Sequence, residues 1–210
     1  MSDLFDNAVP PSGPPSGAGL ARRPLADRLR PKTMSDVVGQ SQLLGPEAPL
    51  SVMLSSGQLS SLIFWGPPGV GKTTMARLLA RETDLHFVQI SAIFTGVAEL
   101  KKVFEAARIR HQNGRGTLLF VDEVHRFNKA QQDGFLPHME DGTILLVGAT
   151  TENPSFELNA AVLSRAQVLV LERLTLADLE LLCQRAEKRT GHGIASDRRG
   201  ARGAVGNGRW

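Results

Sequence analysis

The 210-residue sequence has one cysteine, no long hydrophobic run and no signal-peptide pattern near its first residue. Cys183 has no partner for an internal disulfide, and its place in a predicted amphipathic helix indicates a small core residue. No apolar stretch approaches the ~18 residues that span a bilayer. The first residues, MSDLFDNAVPP, have neither the basic start nor the apolar middle of a secretory signal. These absences favour a globular protein of the cytoplasm that has no membrane segment.

Net charge is also absent from most of the chain. There are 24 basic and 21 acidic side chains, which gives a net charge of +3. Residues 191–210 hold four arginines and one aspartate, so this segment accounts for the whole excess. The first 190 residues are therefore neutral, and bulk charge gives no indication of nucleic-acid binding.

The two ends of the chain differ in composition from its middle. Residues 1–20 are rich in proline and glycine and poor in apolar residues, which predicts a disordered arm. Leu4-Phe5 within it is either a docking peptide for a partner groove or an ordinary part of a disordered terminus. Residues 191–210 contain six glycines and predict a disordered tail. The abrupt change there indicates truncation or a shifted reading frame, with an RNA-binding glycine–arginine segment as the alternative.

The most specific motif is a glycine-rich loop between an apolar run and an amphipathic helix. Residues 66–74 read GPPGVGKTT and fit G-x-x-x-x-G-K-[ST]. Residues 62–65 are apolar without alternation, as in a buried strand, and apolar residues recur at helical spacing after the loop. Backbone N–H groups of such a loop and of the helix N-terminus bind phosphate. Lys72 would then contact the β- and γ-phosphates and Thr73 would offer a hydroxyl to Mg²⁺, whereas the alternative is an ordinary glycine turn.

Further apolar runs predict an α/β fold with a parallel sheet flanked by helices. Strands are predicted at 86–90, 117–121, 143–148 and 167–171, with helices between them. Asn128 is expected to cap one helix through NKAQQDGFLPHME. Thr175 and Asp178 are expected to cap a last helix that ends at Thr190.

Polar side chains follow two of these strands directly. Asp122 and Glu123 come after the third strand, at the strand end where ligands of open parallel sheets gather. They predict a site for Mg²⁺ and an attacking water, with a surface charge pair as the alternative. Residues 149–153 follow the next strand and either face the same crevice or form a plain turn.

Several segments together carry a resemblance to a known family. They are GPPGVGKTT at 66–74, LLFVDEVHRF at 118–127, NKAQQDGFLPHMEDGT at 128–143, GATTENPSFELN at 148–159 and LSR at 163–165. They resemble the AAA+ ATPases of the replication-associated recombination protein A family. These are clamp-loader relatives found in bacteria and, as Werner-helicase-interacting homologues, in eukaryotes. The resemblance covers roughly residues 24–190, and it includes PLADRLRPKTMSDVVGQ at 24–40.

The resemblance implies an ATPase with defined contacts to nucleotide and metal. Nucleotide contacts would come from Gly66, Pro67, Pro68, Gly69, Val70, Gly71, Lys72, Thr73 and Thr74, and adenine contacts from Arg28, Pro31, Val38 and Gly39. Thr73 and Asp122 would bind Mg²⁺ directly or through water. Glu123 would polarise the attacking water.

The resemblance also implies two residues that respond to the γ-phosphate or to a neighbouring subunit. Thr151, or else Asn153, would be the sensor that hydrogen-bonds the γ-phosphate and the water. Arg165 would reach the nucleotide of a neighbouring subunit, so that hydrolysis would depend on assembly.

Members of this family are longer than this chain. The resemblance implies a disordered arm at 1–20, an AAA+ core at 21–171, the first lid helix at 172–190 and the tail at 191–210. A complete lid and an oligomerisation region would follow in the family. We therefore expect the chain to bind ATP and Mg²⁺ but to hydrolyse ATP weakly, with little stimulation by DNA.

The implied function is ATP hydrolysis in DNA replication and recombination, at stalled or damaged forks. Implied partners are single-stranded DNA ends or forks, further copies of the chain, and replication proteins such as single-strand-binding protein or the sliding clamp. In a bacterium the protein would associate with the nucleoid. The alternatives are a clamp-loader subunit, a branch-migration motor, or a fragment that binds nucleotide without catalysis. A GTPase is disfavoured because Asn128-Lys129 lacks the following aspartate that guanine recognition uses.

Overall fold

A computed structural model describes residues 29–190, and the chain divides into two units between Arg30 and Pro31. The unit that begins at Pro31 holds the strands and helices of the described residues. The predicted arm with Leu4-Phe5, the predicted adenine contact Arg28 and the predicted tail at 191–210 lie outside the described residues.

Five parallel strands form one sheet in this unit. They are β1 Ser61–Trp65, β2 His86–Ser91, β3 Thr117–Asp122, β4 Ile144–Thr150 and β5 Ala166–Val170. The strand order is β2-β3-β4-β1-β5, and every neighbouring pair is parallel. All the strands therefore end at the same edge of the sheet, which confirms the predicted parallel α/β fold.

Helices and short helical turns connect the strands. The α-helices are α1 Ser41–Leu44, α2 Pro49–Ser56, α3 Lys72–Glu82, α4 Val97–Gln112, α5 Lys129–Asp133, α6 Leu136–Glu140, α7 Pro154–Glu157, α8 Ala160–Leu163 and α9 Leu176–Thr190. Two 3-10 turns span Met34–Asp36 and Val124–Arg126. None of the helices between residues 29 and 190 is both long enough and apolar enough to cross a membrane.

The central strands β1, β3 and β4 are buried on both faces, which explains why they read as unbroken apolar runs. Alternate residues of β1 enter different clusters: Leu62 and Phe64 pack with α3, whereas Ile63 packs with α4. Residues 118–121 of β3 also alternate between the two clusters, and each of them is 0% exposed. Helices therefore cover the two faces of the sheet, and the ends of the strands remain uncovered.

The two predicted helix caps are confirmed. Gln131 N donates to Asn128 Oδ1 at 2.9 Å, and Asn128 N donates back to Gln131 Oε1 at 3.0 Å. At the start of α9, Thr175 N donates to Asp178 Oδ2 at 2.8 Å. Each reciprocal cap satisfies N–H groups that have no partner within the helix.

The prediction of one continuous helix through NKAQQDGFLPHME is wrong, because this segment forms two short helices. The first, α5, ends at Asp133, and Gly134-Phe135 separates it from α6. Pro137 has no N–H to donate to the carbonyl of Asp133, and its ring crowds that carbonyl in a continuous helix. The break follows from this residue.

Two further predictions are corrected. The fourth strand does not stop at Gly148 but continues to Thr150, since Trp65 pairs with Thr150 across the sheet. Cys183 is exposed, although the helical pattern predicted a core position. The side of α9 that packs on the domain instead carries Ala186, which is buried, and Arg185, which donates a hydrogen bond to Asp36 O.

Gln132 joins three segments on one side of the domain. It is 2% exposed, and its Nε2 donates to Phe127 O at 3.0 Å and to Glu157 O at 3.1 Å. Its Oε1 accepts from Asn159 N at 2.8 Å. One buried amide therefore satisfies three backbone groups that no helix or strand pairs.

We predict that Gln132→Leu lowers the free energy of unfolding by about 3 kcal/mol, because three buried backbone groups lose their partners. Urea denaturation measures the loss. Gln131→Leu is the matched control, since this neighbouring residue contributes one exposed capping bond, and it is expected to cost about 1 kcal/mol. Equal losses in the two variants would contradict the assignment of Gln132.

Candidate nucleotide-binding site

The glycine-rich loop is anchored between two strands at the carboxyl edge of the sheet. It leaves β1 at Trp65 and enters α3 at Lys72. Gly66 N donates to Thr150 O at 3.2 Å, and Leu171 N donates to Trp65 O at 2.7 Å. A Cβ on Gly66 would lie 2.3 Å from Leu171 O, so only glycine fits this close approach. The end of the loop requires glycine for another reason, since Gly71 has a φ of 101°.

Lys72 points back into the loop that precedes it. Its Nζ donates to Gly66 O at 2.7 Å and to Pro67 O at 3.0 Å, and the residue is 9% exposed. Burial lowers the pKa of the Lys72 ammonium, while Glu123 and Asp122 act in the opposite direction. The loop therefore holds a desolvated positive charge close to two carboxylates.

Asp122 and Glu123 lie where the sequence predicted them. Asp122 is the last residue of β3, and Ala92 N donates to its carbonyl at 2.9 Å. Glu123 has a φ of 53°, a conformation that is uncommon outside glycine, and a short 3-10 turn follows. The turn moves the chain away from the sheet immediately after the two acids.

The segment after β4 reaches the same edge. Thr150 ends the strand and is fully buried, whereas Thr151 is partly exposed beside it. Asn153 caps α7, because its Oδ1 accepts from Ser155 N at 3.0 Å. The structure therefore brings both sensor candidates to the end of β4. The side-chain carbonyl of Asn153 already accepts the hydrogen bond that caps α7.

The segment before the first strand packs next to the glycine-rich loop. A Cβ on Gly39 would lie 2.5 Å from Leu174 Cδ2, so this turn touches the chain just before α9. Gln40 Nε2 donates to Glu172 O at 2.9 Å, and Glu172 N donates to Gln40 Oε1 at 3.2 Å. Gly39 and Gln40 therefore contact the chain just after Leu171, whose N–H donates to Trp65 O at the start of the loop. Val38 directly precedes this contact, and Pro31 comes earlier in the segment.

Arg165 is not part of this group of residues. It precedes β5, and Ala166 pairs with Ser61 at the beginning of β1, so Arg165 lies at the amino edge of the sheet. The length of a five-residue strand, roughly 16 Å, separates that edge from the glycine-rich loop. The guanidinium donates to Ala161 O at 3.0 Å and pairs with Glu140 Oε1 at 2.6 Å.

Two buried polar residues at the site were not predicted from the sequence. His125 Nδ1 lies 2.9 Å from Thr150 Oγ1 and 3.4 Å from Glu123 Oε2. The motif LLFVDEVHRF contains His125 without indicating a role for it, and Thr150 belongs to a polar strand end that could be a plain turn. A signal existed for Thr150, since it is one of the polar residues at the end of the fourth apolar run.

The parallel sheet, the loop at the end of β1 and the acidic pair at the end of β3 define a P-loop nucleotide-binding domain. Residues 62–174 match the family described as ATPase family associated with various cellular activities (AAA). The chain belongs to the AAA family of ATPases.

Individual relatives support the resemblance drawn from the motifs. Replication-associated recombination protein A of Escherichia coli K12 is 53% identical over 169 residues, which are 80% of this chain and 38% of that protein. The Haemophilus influenzae protein of the same name is 49% identical over 83% of this chain and 39% of its own length. ATPase WRNIP1 of Dictyostelium discoideum is 47% identical over 77% of this chain and 18% of its own length. The chain thus spans well under half the length of these curated relatives.

A solved structure has the same fold. The Thermotoga maritima RuvB Holliday junction branch migration motor matches 78% of this chain and 55% of its own, with a TM-score of 0.63 and 30% identity. The expected AAA+ fold class is therefore confirmed.

We predict that Gly66→Ala lowers the free energy of unfolding by about 1–3 kcal/mol, because the added methyl would overlap a backbone carbonyl. Guanidinium denaturation measures the change. Gly96→Ala is the control, since that position has open space around its Cβ and a φ of −87°, and it is expected to lose less than about 1 kcal/mol. A Gly66→Ala variant as stable as the parent would show that β1 and β5 separate without cost.

Proposed function

We propose that the chain binds ATP with Mg²⁺ and hydrolyses it, and that it acts in DNA replication and recombination at stalled or damaged forks. One observation carries the proposal. Lys72 is 9% exposed, and its ammonium donates to two carbonyls of its own loop. Phosphate oxygens are stronger acceptors for a desolvated ammonium. Lys72 is also the first residue of α3, and a helix N-terminus favours anions.

The residues present fit a magnesium ion bound mainly through phosphate. Mg²⁺ keeps several waters and takes one or two protein oxygens together with substrate phosphates. Thr73 in the first turn of α3 and Asp122 at the end of β3 offer that number. Between residues 29 and 190 there is no group of three His, Cys, Asp or Glu that could hold a metal alone. When bound, the ion would neutralise charge on the transferring phosphoryl group.

Glu123 is proposed to orient the attacking water, and Thr151 to sense the γ-phosphate. The Glu123 side chain is 29% exposed at the strand end, so its carboxylate is accessible to water. The cap that Asn153 forms on α7 supports Thr151 over Asn153 as the sensor. Pro31, Val38 and Gly39 are proposed to contact adenine, which is supported by the packing of Gly39 and Gln40 against the residues that follow β5. Arg28 is proposed as a further adenine contact from the resemblance alone.

Arg165 is proposed to act on the nucleotide of a neighbouring copy. Its position at the amino edge separates it from the loop of its own subunit by the length of β1. A homo-oligomer that stacks the amino edge of one subunit on the carboxyl edge of the next would bring the two together. Hydrolysis would then depend on assembly.

The wider role is taken from the relatives. The 53% identity to replication-associated recombination protein A favours a fork-associated ATPase over a branch-migration motor, to which identity is 30%. We propose DNA ends or forks as partners, contacts with single-strand-binding protein or the sliding clamp, and a location in the cytoplasm or, in a bacterium, on the nucleoid. Stimulation of hydrolysis by DNA is proposed for the full-length protein of the family, whereas this chain is proposed to hydrolyse ATP weakly and with little stimulation.

We predict that Lys72→Ala abolishes binding of ATP–Mg²⁺, whereas Glu123→Gln binds it like the parent and loses hydrolysis. The first change removes the charge that holds phosphate, and the second removes only the carboxylate that orients water. Equilibrium titration with a fluorescent ATP analogue tests binding, and steady-state phosphate release tests hydrolysis. Normal turnover in Glu123→Gln would remove Glu123 from the mechanism.

We predict that Arg165→Ala leaves ATP affinity unchanged in a single subunit but lowers turnover of the assembled form about 10³-fold. The matched control is Arg108→Ala, which breaks another exposed ion pair, with Glu105, and is expected to turn over normally. Adding a Lys72→Ala subunit, which keeps Arg165, should restore part of the activity. Absence of rescue in a verified mixed assembly would assign Arg165 a structural role.

A further inference from the structure

A buried histidine connects the end of β3 to the end of β4. The His125 side chain is 5% exposed, and its Nδ1 lies 2.9 Å from Thr150 Oγ1 and 3.4 Å from Glu123 Oε2. Thr150 is fully buried. The ring nitrogen is thus placed between a hydroxyl with no exposure and the carboxylate proposed to orient water.

The neighbours of Thr150 decide which partner donates. Its hydroxyl donates to Glu152 O at 3.2 Å and accepts from Glu152 N at 3.0 Å. When that hydrogen is used in the bond to Glu152 O, Nδ1 is the donor in the 2.9 Å contact. The opposite arrangement would leave an Nδ1 lone pair facing a carboxylate, which is repulsive. The hydrogen on Nδ1 therefore points between Thr150 Oγ1 and Glu123 Oε2.

The same threonine is tied to the glycine-rich loop, because Gly66 N donates to Thr150 O at 3.2 Å. Glu123, in turn, has an uncommon φ of 53°, so its side chain direction is set by the turn that contains His125. A continuous set of contacts runs from the loop through Thr150 and His125 to the Glu123 carboxylate. The 3.4 Å contact is long, as catalytic contacts often are before substrate binds.

We propose that His125 is a positioning residue for hydrolysis: its Nδ1–H, oriented by Thr150, holds one oxygen of Glu123 and leaves the other to accept a proton from the attacking water. This rests on the proposed function, in which Glu123 orients that water. The role is separate from phosphate binding, so loss of His125 should lower the rate of hydrolysis and not the affinity for nucleotide.

A spectroscopic experiment tests the geometry without any activity. The chain has five histidines, so ring ¹⁵N–¹H spectra of ¹⁵N-histidine-labelled protein are resolvable, and the signal lost in His125→Asn assigns His125. Spectra are recorded above pH 8, where a neutral ring is favoured. We expect His125 to carry its hydrogen on Nδ1, although a free imidazole side chain favours Nε2. A ring with its hydrogen on Nε2 would overturn the proposal.

A kinetic experiment tests the consequence, with the 210-residue chain in excess over ATP. We expect His125→Leu to lower the single-turnover rate about 10–100-fold with unchanged affinity for the fluorescent analogue. His125→Asn should restore much of the rate, since its amide nitrogen overlies Nδ1, whereas His125→Gln should not. His111→Leu, an exposed histidine at the end of α4, is the control for loss of an imidazole.

The outcomes separate this inference from the proposed function. Full-rate hydrolysis by His125→Leu, in a chain that Glu123→Gln inactivates, overturns only the role of His125. Full-rate hydrolysis by Glu123→Gln removes Glu123 from the proposed mechanism and overturns this inference with it. Failure of the parent chain to bind and hydrolyse ATP overturns the proposed function. A faster His125→Leu variant would show that the histidine restrains Glu123, and equal rates for the Asn and Gln variants would show that Nδ1 is not the group that acts.

Discussion

Main-chain pairing of β1 between β4 and β5 is the constraint on which the site depends. Trp65 pairs with Thr150 on one side and Val170 on the other, so the chain leaves the sheet at a point held from both directions. Gly66 N then bonds to Thr150 O, and the carbonyl of Leu171 occupies the space where a Cβ of residue 66 would lie. The glycine-rich loop therefore begins in one place and one direction, and the positions of Lys72 and the α3 N-terminus follow from it.

This anchoring makes the burial of a positive charge possible. An ammonium taken out of water loses much of its solvation, and the lowered pKa of Lys72 reflects that loss. Two loop carbonyls and the nearby carboxylates of Asp122 and Glu123 compensate in part. Such an ammonium interacts more strongly with phosphate than a solvated one does, because water screens it less. The geometry is thus prepared for an anionic ligand.

The residues with proposed roles lie at two opposite edges of the sheet. At the carboxyl edge, His125 and Thr150 link the acidic end of β3 to the glycine-rich loop through contacts of 2.9 Å and 3.2 Å. At the amino edge, Arg165 is held by Glu140 and by the carbonyl of Ala161. Under the role proposed for Arg165, another copy of the chain would complete the site by presenting its amino edge.

The sequence by itself determined the local elements and the class of site. The unbroken apolar runs, the glycine spacing of 66–74 and the caps at Asn128 and Thr175 depend on neighbours within a few residues, and each was predicted from the sequence. Strand order depends on contacts between distant segments, which spacing along the chain does not specify. Only the tertiary structure therefore paired Trp65 with Thr150, brought His125 to Thr150 and separated Arg165 from the loop. The exposure of Cys183 was decided in the same way, since periodicity marks an apolar stripe on α9 but not which part of it meets the domain.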